Sequence, residues 1–298
     1  MARLVECVPN FSEGRNKDVV EKIVDEIRKI EEVKLLDYSM DADHNRSVVT
    51  FIGEPEKVIE AAFNAAKVAA ELIDMSKHTG EHPRMGATDV IPLIPISEVT
   101  MEECVEYSKI LGKRIGEELN IPVFLYERSA TSREREDLAN VRKGQYEGMA
   151  EKLKKEEWKP DFGPAELNVK AGVTAVGARP PLIAYNVNLG TNDLEIAKKI
   201  AKAVRARTGG FTYCKAIGVE IKERNIVQVS MNLVDYTKTP IFRVFDTIER
   251  EARRYGVNVI GSEIVGLVPM QALVDVADYY LKLENFSSDQ ILERKIFE

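Results

Sequence analysis

Three histidines, His44, His78 and His82, are the side chains in this sequence best suited to take and return a proton near neutral pH. Two of them fall in Met75-Ser-Lys-His-Thr-Gly-Glu-His-Pro-Arg-Met-Gly-Ala-Thr-Asp89, where Gly80, Pro83 and Gly86 imply an irregular backbone that presents them. General acid–base chemistry is one reading. A solvated or hydrogen-bonded surface histidine is the plainer one, and spacing alone does not choose between them. A metal site is a third, since His78 and His82 are four apart and Asp41, Asp43 and His44 could add ligands. That spacing aligns ligands only on a helix, which Gly80 and Pro83 disfavour, so no metal is expected.

Apolar periodicity supplies the frame for this loop. Leu4–Val8 reads as a strand and Val19, Val20, Ile23, Val24 and Ile27 as a helix; Val33–Leu36 and Val48–Ile52 read as strands around a polar Asp41-to-Arg46 turn. Pro55 opens a second helix through Ile73, and Val90–Ile94 is the next strand, giving β-α-β-β-α-β. The capping box Thr100-Met-Glu-Glu103 starts a further helix, and a strand follows at Val123–Tyr126. The second half repeats the order: strand Leu182–Leu189, a helix through Leu194 to Val204, hairpin strands Lys215–Ile221 and Ile226–Leu233, a helix starting at Thr239-Pro240, and strand Val257–Ile260. Residues 270–298 read as a helix and a charged tail. The expected fold class is α/β (α+β), two ferredoxin-like lobes with a ligand groove between their sheets, divided as residues 1–178 and 179–298. Polar positions on the predicted inner faces are Asn10 and Arg46 in one half and Asn186, Asn188, Gln228 and Asn232 in the other.

Composition narrows the function classes. A net charge of −7 disfavours nucleic acid as a partner. Three widely spaced cysteines, Cys7, Cys104 and Cys214, form neither a disulfide framework nor a CxxC motif, which fits a reducing compartment. There is no apolar signal segment and no run long enough to span a bilayer, so a cytoplasmic protein without membrane partners is expected.

The histidine segment resembles the LIDM-S-K-H-x-G-E-H-P-R-M-G-A-x-D-V motif of glutamate formiminotransferases, and Leu4-Val-Glu-Cys-Val-Pro-Asn-Phe-Ser-Glu-Gly14 is similar to their N-terminus. Further matches are Asn45-Arg46, Val99–Val105, Trp158-Lys-Pro-Asp-Phe-Gly-Pro164, Gly177-Ala-Arg179 and Val265–Pro269, in family order along nearly the whole chain. The resemblance implies transfer of the formimino group from N-formimino-L-glutamate to N5 of tetrahydrofolate, with His82 as catalytic acid and base. It also implies a folate-contacting loop of Gly163, Pro164, Ala165, Glu166, Leu167, Asn168, Val169, Lys170, Ala171 and Gly172, and a homodimer. The intervening residues 165–171 depart from the animal enzymes and match by register. Asn10, Asp37, Asn45, Arg46, Arg84 and Arg179 are candidate substrate contacts, with Lys77 as a further cation for the substrate carboxylates. The animal enzymes add a cyclodeaminase domain, so here the product is expected to pass to a separate cyclodeaminase. Competing readings are formyl transfer between 5-formyltetrahydrofolate and glutamate at the same site, a folate carrier without turnover, and a metal hydrolase.

Overall fold

A computed structural model of the protein describes residues 2–297, which divide into two compact units, up to Arg179 and from Pro180. The expected mixed α/β class is what both units show.

In the first unit, β1 (Leu4–Cys7) and β2 (Asn10–Phe11) lie in line between β4 (Arg46–Gly53) and β5 (Thr88–Ser97), and β3 (Val33–Asp41) forms an edge against β4, all antiparallel. Helices α1 (Lys17–Arg28), α2 (Pro55–Leu72) and α3 (Met101–Leu119) bury Ile23, Ile27, Phe51, Leu93 and Leu111 against one sheet face. Their starts are where side-chain chemistry puts them. Asn16 caps α1 by accepting from the Asp18 and Val19 N–H groups, Pro55 sits in the first turn of α2, and Thr100 and Glu103 close a reciprocal capping box on α3.

Beyond the β-α-β-β-α-β core, β6 (Val123–Glu127) joins the same sheet through β7 (Thr174–Ala178), which pairs parallel with both β5 and β6. β7 carries no alternation to expose it in sequence because all five of its residues are buried. Short helices α4 (Arg133–Glu136), α5 (Leu138–Arg142) and α6 (Gln145–Lys152) cover this end of the opposite face, with Val141 and Met149 clustered with Phe124 and Tyr126. The opposite face at the β2–β4 end carries Asn10 and Arg46.

In the second unit, β8 (Ile183–Leu189), β9 (Cys214–Ile221), β10 (Ile226–Leu233) and β11 (Val259–Val265) form an antiparallel sheet in the order β11-β8-β10-β9. One face packs Val187, Val227 and Val229 under α7 (Leu194–Val204) and α8 (Ile241–Arg254), followed by α9 (Met270–Leu281) and α10 (Leu292–Phe297). Two sequence expectations are corrected. The last strand begins at Val259 and runs on to Val265, and α8 has Pro240 as its N-cap with no side-chain capping bond, while Thr239 is buried. All three cysteines are free and buried.

Candidate active site

The segment from Ile73 to Ala87 contains no helix, and two histidines within it have different environments. His78 is fully engaged: its Nε2–H donates to Asn45 O at 2.9 Å, and Nδ1 accepts from Arg84 Nε at 3.2 Å. Burial lowers its pKa. His82 is half-buried, and its Nδ1 lies 2.7 Å from Pro83 O. That hydrogen bond requires a proton on Nδ1, so in the neutral ring Nε2 keeps its lone pair. Burial, with the charges of Arg46 and Arg142, pushes His82 down to about 3, so the ring is neutral at physiological pH. The His44 ring meets it edge-on at 5.9 Å between centroids, and His44 is paired with Asp41 at 2.9 Å.

The candidate substrate residues separate into two groups. Arg84, 6% exposed, is committed elsewhere: its five N–H groups donate to His78 Nδ1 and O, Gln145 Oε1 and both oxygens of Glu147. It is a brace between the histidine loop and α6, with no N–H left for a substrate carboxylate. Asn45 also holds the loop in place. With φ at 48°, it accepts from Gly14 N–H through Oδ1 and donates from Nδ2 to Thr79 O, tying the N-terminal turn to the histidine loop. Asn10 and Arg46 belong to the second group. Arg46 donates to Asn10 Oδ1 through Nε and Nη2, and to Asp89 Oδ2 through Nη1 at 2.9 Å. Burial lowers Arg46 to about 10, which leaves it cationic at neutral pH.

Asp37 is exposed on β3, opposite Thr50 beside a bulge, away along the sheet from Arg46. Arg179 closes the first unit, its N–H donating to Leu93 O and its charge opposing the effect of burial on Glu6. Lys77 is exposed and pairs with Asp74. In the second unit the predicted polar face is real: Gln228 Nε2 donates to Asn188 Oδ1 and Glu263 Oε1, Asn186 Nδ2 also donates to Glu263 Oε1, and Asn232 is exposed.

Three residues escaped sequence reasoning. Asp89 is fully buried and accepts from Met85 N–H, Arg46 and Arg142; burial alone would raise its pKa, but Arg142 and Arg46 outweigh it and hold it at about 2. Its signals were its place in the A-x-D-V end of the motif and an acid set directly before the apolar run Val90–Ile94. Arg142 and Glu147, on short helices with little periodicity, had none.

The 163–172 loop is fixed at both ends. Gly163 (φ 82°) and Gly172 (φ 73°) have left-handed backbones, and an added Cβ would lie 2.5 Å from Ile121 O or 2.3 Å from Met85 O. Pro164, Ala165, Glu166, Val169 and Lys170 are exposed, Leu167 packs on the Phe124 cluster, and Asn168 Oδ1 accepts from Lys170 and Ala171 N–H groups. The loop's end is hydrogen-bonded directly to the histidine motif: Ala87 N–H donates to Ala171 O, Val173 N–H to Met85 O, and Met75 N–H to Lys170 O.

The first unit thus holds a neutral histidine with one uncommitted ring nitrogen, a buried arginine–aspartate cluster and a glycine-bounded loop attached to the histidine segment. Comparison with known proteins names the class. Residues 4–179 match the formiminotransferase domain, N-terminal subdomain, and residues 184–296 match the formiminotransferase domain. The chain is 58% identical over 99% of both chains to a glutamate formimidoyltransferase of Streptococcus pyogenes, and 55% identical to one of Thermoplasma acidophilum, covering 98% of this chain and 97% of that one. The formimidoyltransferase-cyclodeaminase of Mus musculus is 47% identical, with 95% of this chain matched to 53% of its length. The chain belongs to the formiminotransferase family.

Proposed function

We propose that the protein is a glutamate formimidoyltransferase, moving the formimino group of N-formimino-L-glutamate to N5 of tetrahydrofolate and releasing L-glutamate and 5-formiminotetrahydrofolate. Relatives of the same length carry that name, which favours the formimino over the formyl donor. The observation that carries the mechanism is the contrast between His82, with Nε2 uncommitted in the neutral ring, and His78, with both ring nitrogens bonded.

In this reading N5 attacks the amidine carbon and forms a tetrahedral species. N5 gives its proton to His82 Nε2; the imidazolium then protonates the glutamate nitrogen, whose bond to carbon breaks as the C=N bond re-forms. General acid–base catalysis of this kind supplies about 10² to 10⁴ in rate. The loop from Gly163 to Gly172 is assigned to folate; its rigid ends and its attachment to Met85–Ala87 support that role. Arg46, held by Asn10, is assigned to the substrate side, with Arg179 and Asp37 as further contacts. We assign no metal. We assign the enzyme to the cytoplasm, as a homodimer whose product is taken up by a separate cyclodeaminase.

The test is a spectroscopic assay with both substrates and added cyclodeaminase, following methenyl absorbance. Enzyme-dependent glutamate release is expected; its absence in folded protein would overturn the reading.

A further inference from the structure

Two guanidinium groups converge on one carboxylate oxygen beside His82. Arg46 from β4 and Arg142 from α5 both donate to Asp89 Oδ2, and Met85 N–H occupies Oδ1. Asp89 therefore cancels one of two positive charges, and one remains in a buried place. Arg46 directs its other bonds to Asn10. Arg142 differs. Its Nε is buried and meets no hydrogen-bond partner among the described residues. A buried N–H of a charged group is costly to leave unpaired, and an anion is the partner that satisfies both the donor and the surplus charge.

We infer that Arg142 receives a carboxylate of the formimino donor, docked against the Arg46–Asp89–Arg142 cluster next to His82. The inference rests on the reaction proposed above and names a contact that reaction needs. A guanidinium holds a carboxylate in a fixed fork, which orients the amidine end toward the histidine. It also orders the two proton transfers. The charged groups facing His82 are Arg46, Arg142 and Asp89, with His44 at its ring edge. With the cluster empty, burial and the two arginines hold the ring neutral, ready to act as base. A docked carboxylate offsets the arginine charge and makes the imidazolium accessible for the return step. Asp89 is a positioning residue in this scheme, since it aims both arginines and touches no substrate.

The test compares Arg142→Lys with wild type by steady-state kinetics and by calorimetric binding of L-glutamate. The KM for formiminoglutamate should rise at least about tenfold and glutamate binding weaken alike, while tetrahydrofolate affinity stays near wild type; the thermal midpoint should fall, because an ammonium replaces only part of the guanidinium's contact with buried Asp89. Arg142→Gln, which keeps one donor toward Asp89, serves if the lysine variant does not fold. A folded variant of either kind with unchanged KM and glutamate affinity would sink this assignment while wild-type turnover left the reaction standing. Wild type without turnover would sink the reaction itself.

Discussion

His82 is half-buried, and its ring hydrogen bond runs to the carbonyl of the next residue, so His82→Ala should leave the fold intact. Turnover should drop by at least about 10² with folate affinity little changed, because proton transfer and not binding is removed. A folded variant with normal turnover would refute its role. The same residue predicts a pH dependence. Its folded pKa, about 3, lies below the ordinary 6.5, so the unfolded chain takes up the proton first. The stability it contributes is present above pH 6.5 and is lost as pH falls toward 3. Asp89, depressed from 3.8 to about 2, adds a loss at lower pH still. The thermal midpoint should therefore fall between about pH 6.5 and pH 4 in wild type, and less steeply in His82→Gln. Arg84→Ala should cost about 2–4 kcal/mol, seen as a lowered denaturation midpoint, and Arg84→Lys should recover little because an ammonium cannot reproduce the fork.

At the level of elements, the histidine loop and the 163–172 loop have no regular structure of their own and take their geometry from what anchors them. The second loop depends on Gly172, where the left-handed backbone coincides with a site in which a Cβ would meet Met85 O at 2.3 Å. Gly256, just after α8, has a similar φ of 69° but nothing within 4 Å of its added Cβ. Gly256→Ala should cost about 1–2 kcal/mol, the left-handed penalty alone. Gly172→Ala adds a backbone clash to that penalty, must displace Met85, and should weaken folate binding as well as stability. Equal denaturation midpoints for the two variants, with folate binding intact in both, would show that the loop is not held in this way.

On the scale of the molecule, each unit contains its own buried core: Phe51, Ile91 and Leu111 with Phe124 and Tyr126 in the first, and Val187, Ile200, Val227 and Ile248 in the second. Both exceed the size at which a single core can sustain a fold. Residues 1–179 expressed alone should unfold in one cooperative transition by circular dichroism; a non-cooperative melt would show that the unit is not autonomous. All three histidines belong to the first unit's turns, and ring closure of the product onto N10 needs a second acid and base. With both substrates the protein should accumulate 5-formiminotetrahydrofolate, with ammonia released rapidly only after cyclodeaminase is added. Prompt ammonia from this chain alone would reveal a second activity.

What the sequence determined by itself was whatever local forces set. The amphipathic spacing of α1 and α7, the Thr100–Glu103 box as a helix start, and the alternation of Val227, Val229 and Met231 in β10 are all decided within a few residues, and all were legible. The motif around His82 was legible too, as a resemblance. The resemblance singled out His82, but the physical contrast with His78 was not legible, because it depends on where Asn45 and Arg84 deliver their polar atoms. Tertiary structure alone also turned Arg84 from a possible substrate contact into a brace, through Gln145 and Glu147 more than 60 residues away. It brought Arg142 to Asp89 across 53 positions. A side chain's chemistry is written in its type, but its free valences are known only after every neighbour has taken its share of hydrogen bonds and charge.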